Sequence, residues 1–251
     1  MAITGSHRFA LVTIVLVAML LLLMVAAVVS IQAQKTYVLL TGVNNYGTGQ
    51  NDLLYPVKDA KELKQVFDRQ GATVAILTSK YVTRKNIDRK LDAIMKLAGP
   101  EDKIIFFFSG HGCPSAFSCY GFDLYPYSEL AEKLSKARTK QVFCFIDACH
   151  SGSAQFSITG GNNLEGAQPV FCMACRPGEY SVEKFLFGNG IFTQALTKAL
   201  RGKADYDGDS KITLSETFKY VHADVKDKSH GNQHPQLAGS STLFDTVLTQ
   251  W

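Results

Sequence analysis

The chain has 251 residues and a formal net charge of +4 at pH 7, with 26 Lys and Arg against 22 Asp and Glu. So mild an excess excludes a nucleic-acid partner, whose phosphates demand a concentrated basic surface. No run of like charges, low-complexity stretch or internal repeat breaks it up, which sets aside charged tails and repeat arrays.

In chain order, residues 9–31 come first and carry no charge, behind Arg8. The run has the length of a membrane span and predicts an N-terminal hydrophobic helix. Ile31-Gln32-Ala33 also resembles a small-residue cleavage site before Gln34. Residues 1–33 are therefore a signal peptide or a membrane anchor, and either one exports the rest of the chain. Residues 34–251 suffice for one well-cored domain.

That domain opens with a strand over residues 36–43, ending in Asn44-Asn45-Tyr46-Gly47. Residues 57–70 form an amphipathic helix with Val57, Ala60, Leu63, Val66 and Phe67 on one face, stopped by Gly71. A strand comes next, over 73–78. Thr83 caps a helix that points Ile87, Leu91, Ile94 and Ala98 inward and stops at Gly99-Pro100. The apolar run Ile104-Ile105-Phe106-Phe107-Phe108 then leads into Ser109-Gly110-His111-Gly112. A loop rich in Cys, Pro, Ser and Tyr spans 113–127, and Ser128 caps a short helix to Lys136. Residues 141–147 form a second run, which ends in Asp147-Ala148-Cys149-His150-Ser151-Gly152. After a Gly-, Ser- and Asn-rich loop to residue 168 come a strand over 169–175, helices over 190–200 and 214–227, and a short closing strand over 236–239. Strands alternating with helices predict an α/β fold, a mostly parallel sheet between layers of helices.

The two apolar runs read as strands buried on both faces of such a sheet. Ligands bind outside the carboxyl ends of parallel strands. His111 and Cys149 would therefore lie at one edge, an imidazole base beside a thiol nucleophile. His150 adjoins Cys149, but consecutive residues in a turn point in different directions, so His150 is read as a structural member of the turn. Of the other five cysteines, Cys113 and Cys119 bracket a loop and are the best disulfide pair. Cys172 and Cys175 have no second Cys/His pair nearby and read as buried strand cysteines, not as a metal or redox motif. On residue type alone, Asp59 is a first-turn carboxylate favoured by the helix dipole and Asp147 a strand-end acceptor.

Ser109-Gly110-His111-Gly112 followed by Asp147-Ala148-Cys149-His150-Ser151-Gly152 resembles the caspase superfamily. The second motif is similar to that of metacaspases; animal caspases carry Gln-Ala-Cys-(Arg/Gln/Gly)-Gly there. The resemblance covers everything after the N-terminal segment. It implies a caspase-like three-layer sandwich with a six-stranded sheet whose last strand runs antiparallel. It implies a cysteine endopeptidase with a His111–Cys149 dyad and an oxyanion hole built from the amides of Gly112 and Cys149. It further implies a pocket lined by Asp59, Ser109 and Asp147 that takes arginine or lysine. Asp59 follows Tyr55-Pro56-Val57-Lys58, where the family commonly has a Cys-containing run. The partner is then a peptide or protein with a basic residue at the cleavage site, with the membrane engaged only through the N-terminal segment. The alternative is a catalytically silent homologue acting as a binding or regulatory module; the presence of both catalytic residue types argues against it.

Residues 205–216 set carboxylates at positions one, three, five and twelve of an EF-hand-like loop: Asp205, Asp207, Asp209 and Glu216. Ser210 stands where the usual loop has Gly. The other reading is a solvated acidic turn that caps the next helix. The resemblance implies that calcium dependence in metacaspases comes from a different acidic cluster. No cofactor is required for the chemistry, and calcium is the candidate ligand.

Overall fold

A computed structural model of the chain describes residues 13–19, 33–49, 51–153, 166–179, 181, 183–184 and 189–251. Residues Met1–Gln34 and Lys35–Trp251 are separate compact units. In the first, residues 13–19 are helical; the remainder of the run 9–31 lies outside the described residues. No helix among the described residues is long and apolar enough to cross a membrane.

The second unit runs β1 (Thr36–Gly42), α1 (Pro56–Arg69), β2 (Thr73–Thr78), α2 (Arg84–Leu97), β3 (Lys103–Ser109), β4 (Gly112–Cys113), β5 (Ala116–Ser118), β6 (Leu124–Pro126), α3 (Tyr127–Ser135) and β7 (Gln141–Asp147). It continues through β8 (Val170–Met173), β9 (Glu183–Lys184), β10 (Asn189–Gly190), α4 (Ile191–Lys198), β11 (Lys211–Thr213), α5 (Leu214–Lys228), β12 (Gln236–Ala238) and β13 (Val247–Gln250). The central sheet has the order β12-β8-β7-β3-β1-β2. Its pairs are parallel, except that β12 runs antiparallel to β8.

Period-two alternation splits each central strand between two cores. Ile104, Phe106 and Phe108 of β3 and Val142, Cys144 and Ile146 of β7 face α2 and α3, meeting Ile87, Leu91, Leu130 and Leu134. Ile105 and Phe107, with Phe143 and Phe145, face the other way against Leu63 and Phe67 of α1, Phe192 and Leu196 of α4 and Val221 of α5. Each fully buried Phe contributes about 2–3 kcal/mol by removal from water. This two-sided burial is why the runs carry no polar residue until they reach the sheet edge.

Several boundaries differ from expectation. The segment expected as a loop over 113–127 holds the antiparallel sheet β4-β5-β6. Its anchor is Phe117, whose ring lies 4.3 Å from that of Phe108 and 5.2 Å from that of Tyr125; aromatic packing overrides turn-like composition. The register sets Cys113 opposite Ala116, not Cys119. Both cysteines are free thiols, and burial pushes the Cys119 thiol up to about 12. Helix α3 starts at Tyr127 without a side-chain cap, so Ser128 does not cap it. The strand expected over 169–175 is shorter; Cys172 lies within β8, whereas Cys175 lies beyond its end, buried. β13, not anticipated, pairs with β11 beside the acidic loop.

Candidate active site

Strand register sets the geometry of the sheet edge. Gly42 pairs with Ser109 and Ser109 with Asp147, so β1, β3 and β7 end on one rung. His111 and Cys149 each lie two residues beyond that rung, and the Gly110 amide donates to the Asp147 carbonyl at 3.1 Å. His111, Cys149, Asp59, Ser109 and Asp147 all line one cleft, together with Pro56, Ser181 and Gly190.

The His111 ring is oriented from two sides. Its Nε2 lies 2.6 Å from the Asn51 carbonyl. A carbonyl only accepts, so in the neutral ring Nε2 carries the proton and Nδ1 keeps the lone pair that a base needs. The Tyr46 hydroxyl accepts the His111 backbone N–H at 2.6 Å. The Tyr46 ring sits 4.9 Å from the imidazole and stacks on Phe122 at 4.6 Å. Asp52 orders this loop by accepting from the Tyr46 amide and the Asn45 side chain. The roles of Tyr46 and Asn51 were not foreseen. Their signal was position: the Asn44-Asn45-Tyr46-Gly47 turn leaves β1 at the same edge as the two motifs.

Cys149 is half-buried, and its Sγ lies 3.9 Å from the Ser181 carbonyl oxygen. The next residue, His150, takes a left-handed backbone with φ +56 and donates its amide to the Glu179 carbonyl at 2.9 Å. Glu179 is itself tied down, accepting from the Arg176 amide at 3.1 Å and from both the amide and Nδ1 of His234 at 2.9 Å. Burial raises the Glu179 carboxyl, but these bonds outweigh it and hold the group below its usual range. The Cys149 turn is thus braced from outside its own strand. Gly112 touches it directly: a Cβ there would fall 2.6 Å from the Cys149 carbonyl oxygen and 2.8 Å from the Ala148 Cβ. Any larger residue would push the two motifs apart. Nearby Cys175 is a different kind of thiol. It bonds to the Ala148 and Glu179 carbonyls, and burial pushes it up to about 11.

The two carboxylates are reached from different elements. Gly42 has no side chain, and a Cβ there would fall 2.2 Å from the Pro56 carbonyl oxygen. That close approach seats the start of α1 on the strand edge and turns Asp59 inward, only 1% exposed. Ser109 Oγ donates to Asp59 Oδ2 at 2.9 Å. Asp147 accepts from the Ser181 hydroxyl on Oδ1 at 2.5 Å, and on Oδ2 from the Thr193 hydroxyl at 2.7 Å and amide at 3.2 Å. Thr193 is the third residue of α4, which has no cap from its own chain neighbours. Asp147 therefore caps α4 from the end of β7. Burial pushes the Asp147 carboxyl up, against the pull of the Ser181 and Thr193 hydrogen bonds. A Cβ on Gly190 would lie 2.6 Å from Asp147 Oδ2 and 3.4 Å from Asp59 Oδ2, so both carboxylates crowd one glycine.

Far along the chain, the acidic loop gathers Asp205, Asp207 and Asp209, whose ligand atoms lie within 4.8 Å of one another. Glu216 is not in that group. Its carboxylate accepts from the Thr213 and Tyr206 amides, and with Thr213 it forms a capping box at the start of α5. Ser210 adopts φ +64, the left-handed turn for which the usual loop uses Gly.

The profile of the caspase domain family matches residues 35–247. No curated protein matches the chain. Among solved structures, a crystal structure of a Geobacter sulfurreducens protein superimposes with a TM-score of 0.64 at 18% identity, covering 86% of this chain and 99% of that one. At that identity the likeness is one of fold. With the family profile spanning the sheet, both motifs and the cleft between them, the chain belongs to the caspase domain family, whose members are cysteine peptidases.

Proposed function

We propose that the chain is an exported cysteine endopeptidase that cleaves after arginine or lysine. The observation that carries this reading is the shared rung of β3 and β7, with His111 and Cys149 two residues beyond it and two buried carboxylates lining the same cleft. Cys149 gives its proton to His111, and the thiolate attacks the scissile carbonyl carbon. The amides of Gly112 and Cys149 stabilise the oxyanion. His111 returns the proton to the leaving amine, and a thioester acyl-enzyme remains. Water, deprotonated by His111, then hydrolyses the thioester and regenerates the thiol. Asp59, Ser109 and Asp147 line the pocket for the basic side chain. Export rests on the uncharged run 9–31 behind Arg8.

Cells producing the full chain can be treated with a biotinylated arginyl electrophile and fractionated. The label should depend on Cys149 and His111 and emerge in the membrane or exported fraction. Failure to label would contradict the dyad. A labelled protein with intact Met1 in the soluble cytoplasm would contradict export alone.

A further inference from the structure

Cys175 is a buried thiol that the peptidase reaction does not use. It lies just past the end of β8. There the Ala174 amide donates to the Ile146 carbonyl at 2.9 Å and carries the β7–β8 pairing one step further. Adjacent strands lie about 4.8 Å apart, and a disulfide joins Cα atoms about 4.4–6.8 Å apart. The Cys175 thiol is held against the turn that carries Cys149. Its Sγ lies 3.4 Å from the Ala148 carbonyl oxygen, one residue before Cys149, and 3.5 Å from the Ser151 hydroxyl, two residues after it. The Glu179 carbonyl, which also holds the His150 amide, lies 3.3 Å from the same sulfur.

A second group shares this place. Tyr127 is fully buried at the start of α3, and its hydroxyl has no hydrogen-bond partner among the described residues. Burial, and then the nearby Cys175, Cys113 and Cys149 thiols, push the phenol above its usual range, so it stays an O–H donor. A buried donor without an acceptor is costly, and an oxygen placed on a neighbouring sulfur would supply one.

We propose that Cys175 is a resolving thiol: when a hydroperoxide oxidises Cys149, Cys175 closes a disulfide with it, and Tyr127 serves the oxygen that leaves. This rests on Cys149 being the reactive thiol of the peptidase reading above. The Cys149 thiolate attacks one peroxide oxygen, the O–O bond breaks, and a sulfenic acid and water form. The Cys175 sulfur then attacks the Cys149 sulfur. The S–O bond breaks, and the oxygen, held by the Tyr127 hydroxyl, leaves as water with the Cys175 proton. Burial pushes the Cys175 thiol up to about 11. It therefore resists peroxide itself, and oxidation starts at half-buried Cys149. The disulfide silences the nucleophile reversibly and keeps it from the irreversible sulfinic acid.

The test treats the full chain with sub-millimolar hydrogen peroxide, caps free thiols with iodoacetamide and maps the peptides without reduction. Gln141 to Cys175 contains no lysine or arginine, so trypsin alone leaves both thiols on one peptide, and a second cut after Glu165 separates them. The wild type should give a linked Cys149–Cys175 pair that dithiothreitol releases. Cys172→Ala should give the same link. Cys175→Ser should give none and should carry Cys149 on to the sulfinic acid. Tyr127→Phe should form the link several-fold more slowly. Direct passage of wild-type Cys149 to the sulfinic acid, or a link from Cys149 to Cys113, would overturn the proposal. An equal rate in Tyr127→Phe would overturn the part given to its hydroxyl. Turnover of an arginyl peptide before peroxide reports separately. The link without turnover would support this pairing and contradict the peptidase reading; turnover without the link would do the reverse.

Discussion

Asp147 receives donors from two directions, the Ser181 hydroxyl on one oxygen and Thr193 on the other. One carboxylate thus joins the pocket to the start of α4, and its two roles can be separated by mutation. Thr193→Val deletes one donor and leaves the carboxylate in place. It should lower stability by about 1.5–3 kcal/mol, the range for a hydrogen bond to a charged group, with a smaller effect on arginyl turnover. Asp147→Asn should lower kcat/KM for arginyl substrates by about 2–4 kcal/mol of transition-state binding, as for truncating one partner of a buried charge pair. Thermal melts beside kinetics on arginyl and uncharged substrates check both. If Asp147→Asn slowed the two substrate classes equally, the carboxylate would be a helix cap and no reader of charge. His111, Cys149, Ser109 and Asp147 were legible from sequence because each sits at or just beyond the end of an apolar run. Thr193 and Ser181 were not, because they reach Asp147 from 46 and 34 residues away with no local pattern.

Strands and helices divide in the same way. β3 and β7 could be read because burial on both faces leaves an unbroken apolar signature. The small β4-β5-β6 sheet could not, because its cohesion comes from Phe117 packing under a segment whose Cys, Pro, Ser and Tyr suggest a loop. The acidic loop between α4 and α5 falls between these cases. Its carboxylate spacing was plain, and three of the four carboxylates converge. The fourth, Glu216, spends its oxygens on the capping box and the Tyr206 amide. Calcium bound by Asp205, Asp207 and Asp209 should raise the melting temperature in line with RT ln(1 + [L]/Kd). Asp207→Ala is the better control, since Glu216→Ala would also break a helix cap worth about 0.5–2 kcal/mol. No shift of the wild type in millimolar calcium, or an equal shift in Asp207→Ala, would rule out calcium as a ligand of this loop.

At the scale of the molecule, one sheet edge collects residues from four elements: α1 supplies Asp59, β3 leads to His111, β7 leads to Cys149, and α4 rests on Asp147. Parallel strands ending on a common rung make this possible, since neighbouring carboxyl ends then deliver their next residues to the same place. The order of strands and helices was readable from apolar periodicity, and the meeting of His111 and Cys149 at one cleft from two short motifs. The bracing of the Cys149 turn by Glu179 and His234 was not readable, because it depends on contacts 55 residues apart in sequence. The central claim is a thiol peptidase with an acidic pocket for a basic side chain. Its most direct measurement is a positional scan of peptide substrates with the wild type, Cys149→Ala and His111→Ala, matched in fold by circular dichroism. Cleavage after arginine or lysine by the wild type, lost by several orders of magnitude in both variants, is the predicted result. Appreciable turnover by Cys149→Ala, or a wild-type preference for aspartate, would contradict it.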